Sequence, residues 1–162
     1  MASLLTEYPV LGQLIGIVVT LWLQACEEML SRIAADREIL IANFSLTPDH
    51  RLTTLKQGLS DNHHGGRGVA ILGFTTDESS NELRIVYKPK DMGVDAAYQQ
   101  VLSDLNAYSS LPHLRILKIY AANGYGYMEY VPHQLCSDEV LLLIRETGEG
   151  IHVVNGMTMF RG

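Results

Sequence analysis

Residues 60–67 read Ser-Asp-Asn-His-His-Gly-Gly-Arg, and two apolar runs later the chain reads Val86-Tyr87-Lys88-Pro89. This assembly suits the binding of a phosphate. Gly65 and Gly66 permit close backbone approach to an anion, and Arg67 presents a planar fork matched to phosphate oxygens. Lys88, at the end of a strand-like run, adds a point charge. Asp61 and His63 alternate, so in extended geometry their side chains share a face. There they suit metal coordination, orientation of a phosphate, or work as base and acid. The alternative is a plain turn in which Asp61 caps backbone amides, the histidines face water, and Lys88 belongs to a solvated Lys-Pro-Lys. Neither GxGxxG nor GxxxxGK[ST] is present, so no generic nucleotide motif decides between these readings.

Other candidates are weaker. Tyr125-Gly126-Tyr127-Met128-Glu129-Tyr130-Val131 is an aromatic-rich strand with one carboxylate. It reads as a hairpin strand with one buried face, or as an edge whose backbone meets an adenine. His63 and His64 with His113 or His133 lack zinc-ligand spacing, so no metal site is assigned. The two cysteines, Cys26 and Cys136, are far apart and outside any CxxC. They read as buried small hydrophobes in a reducing, cytoplasmic setting.

The elements that must position these residues follow from periodicity. A chain of 162 residues, 47% hydrophobic, can build one packed domain or one lobe of a larger enzyme. Its net charge of -6 and lack of a basic run exclude a general nucleic-acid partner. Pro9 to Asp36 reads as a helix, with Val10, Leu14, Ile17 and Leu21 on one stripe and Leu11, Ile15, Val18 and Trp22 on the next. That wide apolar face predicts a buried helix. Over Pro9–Ala25 it is interrupted by Gln13 and Gln24 and falls short of the roughly 20 residues that span a bilayer, so no membrane span is expected. Ile39 to Phe44 is a second apolar patch. Strands are predicted at Leu52–Leu55, Val69–Phe74, Leu83–Tyr87, Leu114–Tyr120 and Gly126–Val131, with Asn123-Gly124 turning the last pair. Val94 to Tyr108 reads as an inserted helix, and Val140–Ile144 as the start of another. Beyond Thr147, Gly148, Gly150 and Gly156 break the pattern. The fold class is α+β: apolar helices, then an antiparallel β-hairpin core with an inserted helix.

Four segments in this order resemble the dehydratase domain of the class II lanthipeptide synthetases, over roughly residues 5 to 145. They are the Ser60–Arg67 loop ("SDxHxGGR"), Val86-Tyr87-Lys88-Pro89 ("VYKP"), Asp95-Ala96-Ala97-Tyr98 ("D-x-A-[FY]") and the Tyr125–Val131 strand. The resemblance implies the N-lobe of a lipid-kinase-like fold. It also implies an enzyme that phosphorylates Ser and Thr of a leader-containing precursor peptide with ATP and Mg2+, then eliminates phosphate to leave dehydroamino acids. By the same resemblance, Asp61, His63 and Lys88 are catalytic, and Lys88, Arg67, Gly65 and Gly66 hold the nucleotide.

The family's second motif, Asp-x-His-x-x-Asn, positions the hydroxyl and binds magnesium, and residues 1–162 do not contain it. The zinc-binding cyclase domain is also absent. The expected organisation is a single partial domain: 1–50 helical, 51–135 kinase-like N-lobe, 136–162 divergent tail. Such a chain is expected to be inactive alone, because groups that act as a unit lose most of their rate together. The alternatives are half of a split enzyme completed by a separate C-terminal portion, or a non-catalytic module that binds a precursor peptide or partner through its N-terminal helices.

Overall fold

The computed structural model describes residues 2–59, 65–108, 113–132, 150–154 and 157–161. Asp61, His63, His64, His133, Cys136 and the helix expected at Val140–Ile144 lie outside them. The elements run α1 (Ala2–Glu7), α2 (Pro9–Ala35), α3 (Arg37–Phe44), β1 (Arg51–Lys56), β2 (Ala70–Thr76), β3 (Ser79–Lys88), α4 (Gly93–Asn106), β4 (Ile119–Ala122), β5 (Tyr125–Glu129), β6 (Gly150–Val154) and β7 (Met157–Arg161). This is the α+β order expected, with α4 inserted between β3 and β4.

β1 to β5 form one antiparallel sheet in the order β1-β2-β3-β5-β4, and β6 and β7 pair separately. β2 and β3 are a hairpin turning at Asp77-Glu78, because Thr76 already pairs with Ser79. β4 and β5 turn at Asn123-Gly124, where Gly124 has φ +79°, a conformation that costs glycine nothing.

Strand alternation divides the side chains between two faces. Ala70, Leu72, Phe74, Ile85, Tyr87 and Tyr127 face one way and form the core with Met29 and Ile33 of α2, Leu40 and Phe44 of α3, and Leu46. Lys88, between Tyr87 and Pro89, faces the other way, toward α4. Asp36 joins the two N-terminal helices. Its N–H donates to the Arg32 carbonyl (2.8 Å) and its own carbonyl accepts from Leu40 (2.9 Å), so it ends α2 and opens α3. α3 stops at Ser45, whose left-handed φ of 61° takes its backbone out of the helix.

Burial of α2 differs from expectation. Only its later part, at Met29 and Ile33, is buried against the sheet. The predicted apolar stripes are exposed: Val10 by 66%, Leu14 by 55%, Val18 by 64%, Trp22 by 48%. Met29 and Ile33 are the α2 residues that join the core cluster with the sheet. At 27 residues α2 is also long and apolar enough to cross a membrane, a test that core helices pass as well. Two further differences concern strands. Residues 113–118 do not form the start of β4, because Asn106 brackets Leu114 (2.7 Å to both its N–H and its carbonyl) and Gln99 accepts from Leu117 N–H (2.8 Å). The tail carries the β6–β7 hairpin that its glycines hid.

Candidate functional site

Lys88 is the last residue of β3, and on β5 it faces Gly126. A Cβ at Gly126 would lie 2.5 Å from the Tyr120 carbonyl and 2.6 Å from Met92 Cγ. Only glycine therefore leaves the notch that Met92 fills, and Met92 is fully buried. Met92 precedes α4, and Asp91 Oδ1 accepts from Gly93 N–H at 2.6 Å to start the helix. Asp95 lies in the first turn, where the helix dipole favours a carboxylate. So placed, Asp95 meets both nearby ammonium groups: Lys88 Nζ at 3.7 Å and Lys90 Nζ at 3.3 Å. Lys88 is the more enclosed of the two, its side chain 22% exposed against 60% for Lys90. Asp91 and Asp95 together balance the formal charges of Lys88 and Lys90 over this stretch of an acidic chain.

Gly65 and Gly66 both have positive φ, +82° and +85°. The close backbone approach that glycine permits is made to α2: a Cβ on Gly66 would stand 3.2 Å from the Leu21 carbonyl carbon and oxygen. Arg67 Nε donates to Glu28 Oε2 at 2.6 Å. Glu28 also pairs with Arg32 on its own helix, and Arg32 Nη1 donates to the Tyr87 hydroxyl at 2.8 Å. Arg32 further stacks over the Tyr125 ring at 4.2 Å. One turn on, Asp36 accepts from the hydroxyls of Tyr125 (2.8 Å) and Tyr127 (2.9 Å). Glu28, Arg32 and Asp36 are spaced four apart, so they share one face of α2 and form a polar ladder against three tyrosines.

The electrostatics follow these contacts. The hydrogen bond from Arg67 holds the Glu28 carboxyl below the ordinary glutamate range, against a smaller opposing effect of burial. Burial pushes the hydroxyls of Tyr87 and Tyr127 up, and pushes Tyr125 up to about 12, with the Asp36 hydrogen bond adding to the rise at Tyr125 and Tyr127. The Arg67–Glu28 pair is partly exposed, so it contributes no more than about 1 kcal/mol. Its consequence is geometric: it joins the glycine loop to α2.

The sequence candidates therefore fall on two faces of one sheet end. Lys88 lies with Asp95 on the α4 face, whereas Gly66 and Arg67 meet α2 on the Tyr87 face. On the α2 face, Gly66, Arg67, Tyr87, Pro89, Cys26 and Trp22 border a cavity of about 120 Å3. Cys26 is half-buried there, its Sγ 3.5 Å from Gln57 Nε2. β5 is an interior strand, paired with both β3 and β4 over Gly126–Met128, so the edge reading of Tyr125–Val131 is replaced by the buried-face one. Glu28 and Arg32 stand at i,i+4 spacing on the helix, but spacing gives neither Arg67 as the third member nor Asp36 as the tyrosines' acceptor. Asp95, quoted only within a motif, is the residue that Lys88 meets. Among the described residues no cluster of three or more His, Cys, Asp and Glu is arranged to hold a metal.

Comparison with curated proteins finds no match to the chain. A family model described as a domain of unknown function (DUF4135) matches residues 8–143, which takes in the glycine loop, Lys88, Asp95 and the tyrosine-rich strand. The chain belongs to this DUF4135 family, a domain associated with lanthipeptide synthetase-like proteins.

Proposed function

We propose that these residues are the nucleotide-facing part of a class II lanthipeptide dehydratase, a cytoplasmic enzyme that acts on a ribosomal precursor peptide. The observation that carries this reading is the Lys88–Asp95 pair at 3.7 Å. A lysine on the third strand of an antiparallel sheet, paired with a carboxylate on the helix that follows, is how protein kinases hold the lysine that engages ATP phosphates. Lys90 adds a second ammonium at the same carboxylate, a second point charge suited to a polyphosphate.

In the proposed reaction a Ser or Thr hydroxyl oxygen attacks the γ-phosphorus and ADP departs. A base then removes the α-proton, phosphate leaves, and the carbon–carbon double bond forms. Lys88 orients the transferring phosphate and offsets charge on the departing one. Asp61 and His63 are assigned to the loop that flanks the nucleotide, by resemblance. Mg2+ would neutralise phosphate charge. The 162-residue chain is expected to bind MgATP through Lys88 and the glycine loop.

Titration of the purified chain with MgATP tests the reading. Saturable binding that Lys88→Ala weakens by roughly tenfold or more is expected, since an ion pair to phosphate is a charge-assisted contact. Binding unchanged in Lys88→Ala, or none in the wild type, would overturn it. The exposed apolar half of α2 favours a second reading, a partner-binding module. Capture of a precursor peptide that survives Lys88→Ala but is lost on deleting residues 1–45 would select that one.

A further inference from the structure

Glu28 sits on a helix that carries none of the residues assigned to the nucleotide, yet its carboxylate is where two separate connections meet. One runs directly to Arg67, which closes the glycine loop, at 2.6 Å. The other runs through Arg32 to the Tyr87 hydroxyl, at 2.8 Å from Arg32. Tyr87 is 2% exposed and immediately precedes Lys88, so fixing its ring fixes the strand backbone from which Lys88 departs. Gly66 lies against the Leu21 backbone two helical turns earlier, so the same helix touches the loop at a second point.

We propose that Glu28 is a positioning residue for the nucleotide site, setting the glycine loop in register with the Lys88 strand from the opposite face of the sheet. The role rests on the nucleotide reading above. Its geometry explains why a partly exposed carboxylate is shared by two arginines. A carboxylate accepts through both oxygens and can hold two guanidinium groups at once, whereas a neutral amide offers a single acceptor oxygen. Glu28→Gln therefore keeps the size and loses one of the two connections. The Arg67 hydrogen bond that lowers the Glu28 carboxyl below the usual glutamate range favours the charged form that both arginines need.

The test uses the full 162-residue chain as wild type, Glu28→Gln, Glu28→Asp and Ile33→Val, the last trimming the buried α2 core without touching the ladder. MgATP affinity is measured by calorimetry, stability by urea denaturation, and amide hydrogen exchange over residues 65–69 by mass spectrometry. In Glu28→Gln, affinity is expected to fall roughly tenfold, because small misplacements of a positioned group are costly. Exchange over 65–69 should quicken. Glu28→Asp should recover part of the affinity, and Ile33→Val should bind as the wild type does even where its stability loss is as large. If the wild type binds MgATP and Glu28→Gln binds it equally, or if exchange over 65–69 is unchanged, the positioning role is overturned while the nucleotide reading stands. If the wild type does not bind MgATP, the nucleotide reading itself falls and the role with it.

Discussion

At Asp36 a single carboxylate, 7% exposed, accepts hydrogen bonds from two tyrosines of β5 while its backbone joins α2 to α3. Asp36→Ala would leave the hydroxyl of fully buried Tyr127 without its acceptor and is expected to cost about 2–4 kcal/mol in urea denaturation. Asp36→Asn, which keeps one acceptor oxygen, should cost less. The same tyrosines set an alkaline limit. Tyr125 rises from 10.0 to about 12 in the fold, so the native state holds this proton longer than the unfolded chain does. Its contribution is complete below pH 10 and is lost as pH climbs toward about 12. Stability measured across that window should fall in the wild type and fall less steeply in Tyr125→Phe. Lys88 was legible from its strand-ending position, and the four-residue spacing of Glu28 and Arg32 is that of an ordinary helical ion pair. Arg67 as their partner was not, because 39 residues separate it from Glu28 and only the folded loop brings them together.

Among the elements, the β2–β3 and β4–β5 hairpins and α4 follow from local signals: alternation, an Asn-Gly turn, and an apolar stripe through Ala97, Val101, Leu102 and Leu105. Elements decided by tertiary contacts were misread. Residues 113–118 have strand-like composition, but Asn106 and Gln99 capture their backbone groups first. The apolar first half of α2 has the pattern of a core helix but stays exposed. The β6–β7 hairpin had a signal in Asn155-Gly156 between Val153-Val154 and Met157, outweighed by the surrounding glycines. Where α4 meets the sheet, Gly126 is the element-scale requirement. Gly126→Ala forces Met92 from its notch and is expected to cost about 1–3 kcal/mol. It should also weaken MgATP binding, because Asp95 moves with the start of α4. A calorimetric comparison with an equally destabilising core variant such as Leu40→Val separates the two effects.

Across the whole molecule, one sheet end carries two devices on opposite faces. On the α2 side a ladder of Glu28, Arg32 and Asp36 holds the glycine loop and three tyrosines. On the α4 side Asp95 holds two lysines. The resemblance picked out four segments in their order along the chain. It did not show that the sheet would part Arg67 from Lys88, because alternation places neighbouring Tyr87 and Lys88 on opposite faces and only the packed helices show which face each partner takes. An ATP analogue carrying an acyl phosphate on its γ-phosphate acylates a lysine amine held near the phosphates, with the nucleotide as leaving group. Applied to the purified chain and mapped by mass spectrometry, it can distinguish the chain's four lysines, Lys56, Lys88, Lys90 and Lys118. Labelling concentrated on Lys88 and suppressed by excess MgATP is the predicted result. Labelling spread over all four and indifferent to MgATP would contradict a nucleotide site at Lys88.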